Sequence, residues 1–406
     1  MNSINFDNKL ARKGLLRSAV LTAILMTPLS SYAVDLKPHK AGNFDVTALV
    51  TSTLGYGDNV FRGSINEQSS SFFTFSPVVR ATKDDSKQSL TFEYEGEGAA
   101  FFDSSGDNFL STRLGSEYLR KLTPTSDFGV GLAYEDGNNI RGTDITEGSE
   151  SEFEGATEFT RTDFNLDYRI GSQKIGPSLT LGYLATDLEF DNFEQINRGR
   201  DYSLDKLSAR LAYQYSVATS FFIDLSTSDF DYDTSVTSLN GDLDGSEKTV
   251  MVGVKWRVSR RTSGEVSVGS TDKEFDNFND PSSLTTWNAE IEWTPSARDT
   301  ILLTSFSRPY EQAGTGLFQD VEQTSLSWER DLNRSLSFRS GFKVGSVSFD
   351  TTAREDDIES LELGLIYKPS KYSEVSLNYE YEDKESNFTR FDYNSSTVFV
   401  SYSISL

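Results

Sequence analysis

Enzymes that move protons at neutral pH rely most often on histidine, and this chain has one, His39, ahead of the first patterned segment. A Ser-His-Asp constellation needs an imidazole beside its nucleophile, and His39 has no partner for that role. With 62 Asp and Glu residues, chance carboxylate pairs are common, yet none is localised at a definable site as glycoside hydrolysis requires. No glycine-rich phosphate loop, zinc-ligand spacing or haem motif occurs. The chain is therefore expected to be no enzyme and to carry no cofactor or metal.

What recurs instead is a cluster of Asp, Asn and aromatic residues: GDNVF (57–61), GDNFL (106–110), FDNFE (190–194) and FDNFND (275–280). Oxygen-rich loops bind Ca²⁺, but none of these has EF-hand spacing. Asn and Asp also favour turns, because they accept local backbone hydrogen bonds and tolerate left-handed conformations. The clusters are expected to be turns beside an outer belt of aromatic rings. A net charge of −24 repels nucleic-acid phosphates. It suits loops set beside lipopolysaccharide through divalent cations, and it equally serves solubility. Cysteine is absent, and a closed barrel, having no free sheet edge, needs no disulfide.

The elements that position these residues begin after a leader. Lys9, Arg12, Lys13 and Arg17 precede an apolar run from Ala19 to Leu29, and Ser31, Tyr32 and Ala33 form a small-x-small cleavage site. Residues 1–33 are read as a signal peptide, 34–43 as a periplasmic segment and 44–406 as one β-domain. No later segment approaches the roughly 18 apolar residues of a spanning helix. From Phe44 onward, period-two alternation repeats in stretches of about ten residues separated by breaks, the signature of membrane-spanning strands. Val250, Val252, Val254, Trp256 and Val258 share one face, while Met251, Gly253, Lys255 and Arg257 share the other. About 18 such strands follow one another. The weakest is 71–82, because Pro77 cannot donate to a ladder. Short connections such as 83–86 and 217–218 alternate with long ones such as 57–70 and 138–158. The pattern predicts an all-β, antiparallel, up-and-down transmembrane barrel with short periplasmic turns and long extracellular loops.

That orientation predicts a row of lipid-facing aromatics at the lower ends of the descending strands, where the ring is partly buried and its polar edge stays hydrated. Tyr118, Tyr168, Tyr213, Trp256, Trp293, Trp328, Tyr367 and Tyr402 occupy those positions. The last strand alternates Val398, Val400, Tyr402, Ile404 and Leu406 with Thr397, Ser401, Ser403 and Ser405, as a strand that closes a ring should. It resembles the C-terminal signal read by the barrel assembly machinery, with Leu406 where that signal ends in Phe. A barrel of this size encloses water. The residues expected to line it are Glu93, Glu95, Glu117, Arg169, Arg210, Asp224, Lys255, Arg257, Glu290, Glu292, Glu329, Arg339, Lys343, Glu362, Glu380 and Glu382. Their mixed signs point first to ion pairs along the wall and second to a solute filter. The loop 138–158 either folds inward or covers the surface.

The stretch LGYGDNVFR (54–62), followed by SSSFFTFSPVVR (69–80), is similar to the start of the putative beta-barrel porin 2 family. The resemblance extends through the Tyr-rich strands to the aromatic-Ser closing strand. It implies a barrel in the outer membrane of a Gram-negative bacterium, and for many members a part in exporting exopolysaccharide or capsular polysaccharide. The expected partners are then outer-membrane lipid and lipopolysaccharide, the assembly machinery, a periplasmic polysaccharide-export protein and the polysaccharide itself. A general or solute-specific uptake porin is the alternative, recognisable by an inward-folded constriction loop and segregated charges. A structural or adhesive barrel with a closed lumen is the third. N-terminal sequencing of the membrane-inserted protein is expected to begin at Val34; a start within the leader would contradict the cleavage site.

Overall fold

The computed structural model describes residues 34–172, 174–197, 199–233, 243–259, 261–276, 278–311, 318–350 and 352–406, with backbone alone at 258 and 278–281. The leader and its cleavage site lie outside these residues, as do parts of the long connections 232–246 and 310–320 and of the fourth Asp/Asn cluster.

Among the described residues a short strand β1 (His39–Ala41) hairpins onto β2 (Phe44–Gly57). Then follow β3 (Ser70–Asp84), β4 (Gln88–Phe101), β5 (Phe109–Thr123), β6 (Ser126–Asn139), β7 (Thr157–Gly171), β8 (Gly176–Phe190) and β9 (Tyr202–Ser216). The series continues with β10 (Thr219–Tyr232), β11 (Gly245–Ser259), β12 (Thr262–Phe275), β13 (Phe278–Ser296) and β14 (Asp299–Glu311). It ends with β15 (Phe318–Asp331), β16 (Leu336–Phe349), β17 (Glu355–Ser370), β18 (Ser373–Ser386) and β19 (Tyr393–Ser405). Each strand pairs antiparallel with its sequence neighbours, and β19 returns to β2. The result is a closed barrel of the eighteen strands β2–β19. Closure is what lets such a sheet sit in hydrocarbon, where an unpaired edge finds no water. On the inner side the seam is reinforced by hydroxyl pairs, Thr51–Ser403 at 2.9 Å and Thr53–Ser401 at 2.8 Å.

The alternation sorts the two faces. Val250 and Val252 are each 52% exposed on the outside of β11, whereas Thr271, opposite Thr249 on the inner face of β12, is 1% exposed. Pro77 does not demote β3. Instead, the β3–β4 ladder is interrupted at residues 76–77 and resumes at Val78↔Glu95, the local cost of a missing N–H. Inward rings lie across glycines on the neighbouring strand at the directly opposed pairs Gly55↔Phe72, Gly137↔Phe159 and Gly253↔Phe222. Each glycine leaves the space its Cβ would need, so the ring flattens against backbone.

The end of the barrel that carries the termini has the short turns. In one, the Asp85 carboxylate accepts the backbone N–H groups of Lys87 (2.8 Å) and Gln88 (3.0 Å). Those bonds hold its carboxyl below the usual carboxylate range. The segment before β1 is tied to the same end: Asp35 N–H donates to the Lys371 carbonyl and Lys37 N–H to Ser405 Oγ, both at 2.8 Å. A Gly137→Val substitution is expected to destabilise the barrel by about 1–3 kcal/mol through overpacking against Phe159. The temperature at which the detergent-resistant folded band unfolds should fall accordingly; an unchanged temperature would contradict the ring-on-glycine packing.

Candidate functional site

Inside the ring is a continuous cavity of about 2070 Å³, running from the short turns at 84–89 and 172–175 up to the inner ends of Arg354 and Lys384. All sixteen expected lining residues fall on the inward parity of their strands. Eight border this cavity: Glu117, Arg169, Arg210, Asp224, Lys255, Arg257, Glu290 and Glu292. The others, Glu93, Glu95, Glu329, Arg339, Lys343, Glu362, Glu380 and Glu382, lie on β4 and β15–β18, the remaining arc of wall. Opposite charges sit side by side rather than on opposite walls. Arg210 bonds Asp224 (2.6 Å) and Glu265 (3.0 Å), Lys255 also reaches Glu265 (3.0 Å), and Arg339 bonds Glu329 (2.9 Å). Arg80–Glu93 and Arg169–Asp127 pair likewise. Neutralising neighbours in this way costs less than leaving half-solvated charges alone on a polar wall.

The eight girdle residues stand on the outward parity at the lower ends of β5, β7, β9, β11, β13, β15, β17 and β19. Tyr213, Tyr367, Trp293 and Tyr402 are 43–52% exposed. Tyr118 donates to Gln88 Oε1 at 2.9 Å and the Trp328 indole N–H to Asp299 Oδ1 at 3.1 Å, so each polar edge meets the turn while the ring faces outward. Trp256 lies over Gly264 and also touches the rim of the cavity. Tyr168, at 36% exposure, completes the row.

Among the described residues the Asp/Asn clusters act as turns, but their rings do not form an outer belt. Asn59 is 1% exposed; its amide donates to the Gly63 and Asn394 carbonyls and its Oδ1 accepts from Gly63 N–H, all at 2.9 Å. Asn108 Oδ1 accepts from Phe101 N–H at 2.7 Å, and Asn192 bridges Glu158 N–H and the Ala156 carbonyl. Phe61 is 2% exposed, turned inward into a cluster with Phe72, Ala99, Phe101, Ile140 and Phe399. Phe190 borders the cavity and Phe275 stacks on Phe318. The loops fold into the mouth, so a ring on a loop is drier inside the barrel than outside it.

Two loops fill part of that mouth. The loop 140–156 between β6 and β7 packs on the loop 58–69 between β2 and β3. Arg141, 6% exposed, donates two bonds to the Asp107 carboxylate (2.9 and 2.8 Å) and one to Gln68 (3.0 Å), with its guanidinium 3.9 Å from the centre of the Phe61 ring. Gly142 has φ +80°, and a Cβ there would strike the Phe61 carbonyl. The tip then reaches both sides. Asp144 bonds Arg200 at 2.7 Å, and Glu147 bonds Arg354 at 2.7 Å and also Lys384. Arg354 directly precedes β17 and Lys384 lies on β18, so the loop spans a chord past β19, β2, β3, β4 and β5. Arg62 on the other loop bonds Glu382 at 3.2 Å. Two of these pinning residues, Arg62 and Asp144, hold φ +54°, a left-handed backbone that surrounding contacts must enforce.

Asp107, Arg141, Asp144, Glu147, Arg200 and Arg354 were outside the sequence-derived set because alternation speaks only for strands, whereas Lys384 lies on β18 at the inward parity of Glu380 and Glu382, where alternation could have found it. The signal available was a basic residue at a strand end or within a long loop of an otherwise acidic chain.

The Putative beta-barrel porin 2 family model matches residues 37–405. No curated protein sequence matches the chain. Among solved structures the chain is similar to OccK5 (OpdH) of Pseudomonas aeruginosa, with 13% identity, TM-score 0.50, and coverage of 90% of this chain and 100% of that one. It is similar to a BenF-like porin of Pseudomonas fluorescens Pf-5, with 11% identity, TM-score 0.50, and coverage of 89% and 99%. It also aligns with the FrpB iron transporter of Neisseria meningitidis (F3-3 variant) at 8% identity and TM-score 0.47, covering 83% of this chain but 62% of that one. At these identities the first two structures speak for the fold, and the family match speaks for descent: the chain belongs to the Putative beta-barrel porin 2 family and is an outer-membrane, porin-like barrel channel.

Proposed function

We propose that the barrel is a diffusion channel for small hydrophilic solutes, with the loop 140–156 as its constriction. The observation that carries this reading is the pinning of that loop across the lumen by Asp144–Arg200 and Glu147–Arg354. A loop held on both flanks narrows the path, and the cavity beside it is continuous from the short turns to its tip. Mixed, neighbour-paired charges on the wall leave hydroxyls and paired ions to replace the solute's water as it passes. The charges are not segregated onto opposite walls, so the constriction, rather than a transverse field, sets what passes.

Export of an exopolysaccharide or capsular polysaccharide, implied by the family resemblance, asks the same lumen to pass a polymer, for which the pinned loop must swing away. The two readings separate in the cell. In the channel reading, a deletion strain keeps its surface polysaccharide; loss of that polysaccharide would favour export and overturn the channel reading. In planar bilayers, the purified protein is expected to form steady single channels, and replacing 141–155 by a short Gly-Ser linker should raise conductance by about twofold or more, as a wider aqueous lumen requires. Equal conductances would mean that the loop does not constrict the path.

A further inference from the structure

At the tip of the loop, the Glu147 carboxylate occupies a site built by the start of β17, the end of β18 and the turn at Thr389–Phe391. Arg354 is held face-on by two rings, 4.2 Å from the centre of Phe349 and 3.3 Å from that of Phe391. Its guanidinium bonds Asp356 at 2.5 and 3.0 Å and Glu147 at 2.7 Å. Lys384 bonds the same two carboxylates, Asp356 at 2.8 Å and Glu147. Both cations are nearly buried, with side chains 11% and 6% exposed, and Asp356 is fully buried at 0%. Two positive charges thus face one carboxylate from the wall and one from a loop. Asp356 balances one; Glu147 balances the other, and it alone comes from the loop 140–156, whereas Asp356 and Lys384 stand on β17 and β18 and Arg354 directly precedes β17.

The geometry points to Arg354 and Lys384 as a recognition site for carboxylate-bearing solutes, occupied in this structure by the chain's own Glu147, which an incoming carboxylate displaces. The inference deepens the channel reading and rests on it. Arg354, Lys384 and Glu147 all border the cavity, so a solute arriving through the lumen meets the site directly. A planar guanidinium beside an ammonium offers charge-assisted donors that suit a carboxylate, and clamping Arg354 between rings removes the entropy cost of aligning it. The approach is not repelled either. The chain carries −24 overall, yet its cavity is bordered by fifteen Lys and Arg against fourteen Asp and Glu. The acidic excess therefore lies elsewhere, and an anion crosses a wall close to neutral. Leaving the two cations without a second carboxylate exposes an unbalanced, half-dry charge, which is costly. Departure of Glu147 and arrival of a solute carboxylate are thereby coupled.

Single-channel recording in potassium chloride with added succinate tests this. Succinate should produce concentration-dependent blocking events in the wild-type channel, and glucose should not. Glu147→Gln removes the resident competitor's charge, and the succinate concentration for half-block is expected to fall about fivefold or more; the Arg354→Gln/Lys384→Gln variant should raise it about tenfold, the loss of a charge-assisted contact. Because Glu147→Gln is isosteric and lies in a loop, it carries the test even where the wall variant fails to assemble, which the heat-modifiable mobility reports. An open wild-type channel that succinate does not block, or the same half-block concentration in Glu147→Gln as in wild type, overturns the recognition site and leaves the channel reading intact. A protein that inserts but conducts nothing overturns both.

Discussion

A backbone N–H or C=O inside a bilayer has no water to turn to, and each one left unpaired costs several kcal/mol. For strands this leaves a single arrangement, a sheet whose last member bonds to its first. The pairing of β19 with β2, from Leu49↔Ser405 to Gly57↔Thr397, satisfies that demand, and much else follows from it. A ring fixes an inside and an outside for every strand at once, so one parity meets lipid and the other meets whatever the ring encloses. Eighteen strands enclose more space than wall side chains alone can fill. The interior is therefore finished by other means: paired ions along the wall, rings laid over glycines, and two loops folded into one side of the mouth.

Those loops behave as a small soluble domain inside a membrane protein. They have a hydrophobic cluster around Phe61 and Ile140, a buried bidentate ion pair from Arg141 to Asp107 on the neighbouring β4–β5 connection, and a side-chain amide, Asn59, that closes its own turn. Leaving an element of this kind in the lumen is favourable because its apolar residues bury against inward Phe72, Phe101 and Phe399, while its carboxylates meet Arg200, Arg354 and Lys384 around the rim. The same contacts decide how much of the cross-section stays open.

The strands were legible in the sequence because a face in lipid and a face toward water impose period two, and Val250 to Arg257 carry that imprint residue by residue. The inward set, Glu93 to Glu382, and the lower aromatic row from Tyr118 to Tyr402 follow from the same parity. Even the doubtful strand at Pro77 forms, the proline being absorbed as a two-residue gap in one ladder. The loops were a different matter. Asp58 to Phe61 reads as a turn from its composition, and a turn it is; that Phe61 points inward depends on what Ile140 and Phe399 do far away in sequence. The reach of Glu147 to Arg354 and Lys384 likewise depends on barrel width and loop path, which no local pattern records.

The sorting of the two faces is the claim on which the cavity, the constriction and the loop contacts all stand. The chain has no cysteine, so single cysteines placed in turn from Val250 to Trp256 on β11 and spin-labelled in the reconstituted protein report each position cleanly. Collision with oxygen should dominate at 250, 252, 254 and 256, and collision with a water-soluble nickel reagent at 251, 253 and 255. Uniform accessibility along the strand, or the opposite phase, would contradict the barrel as described.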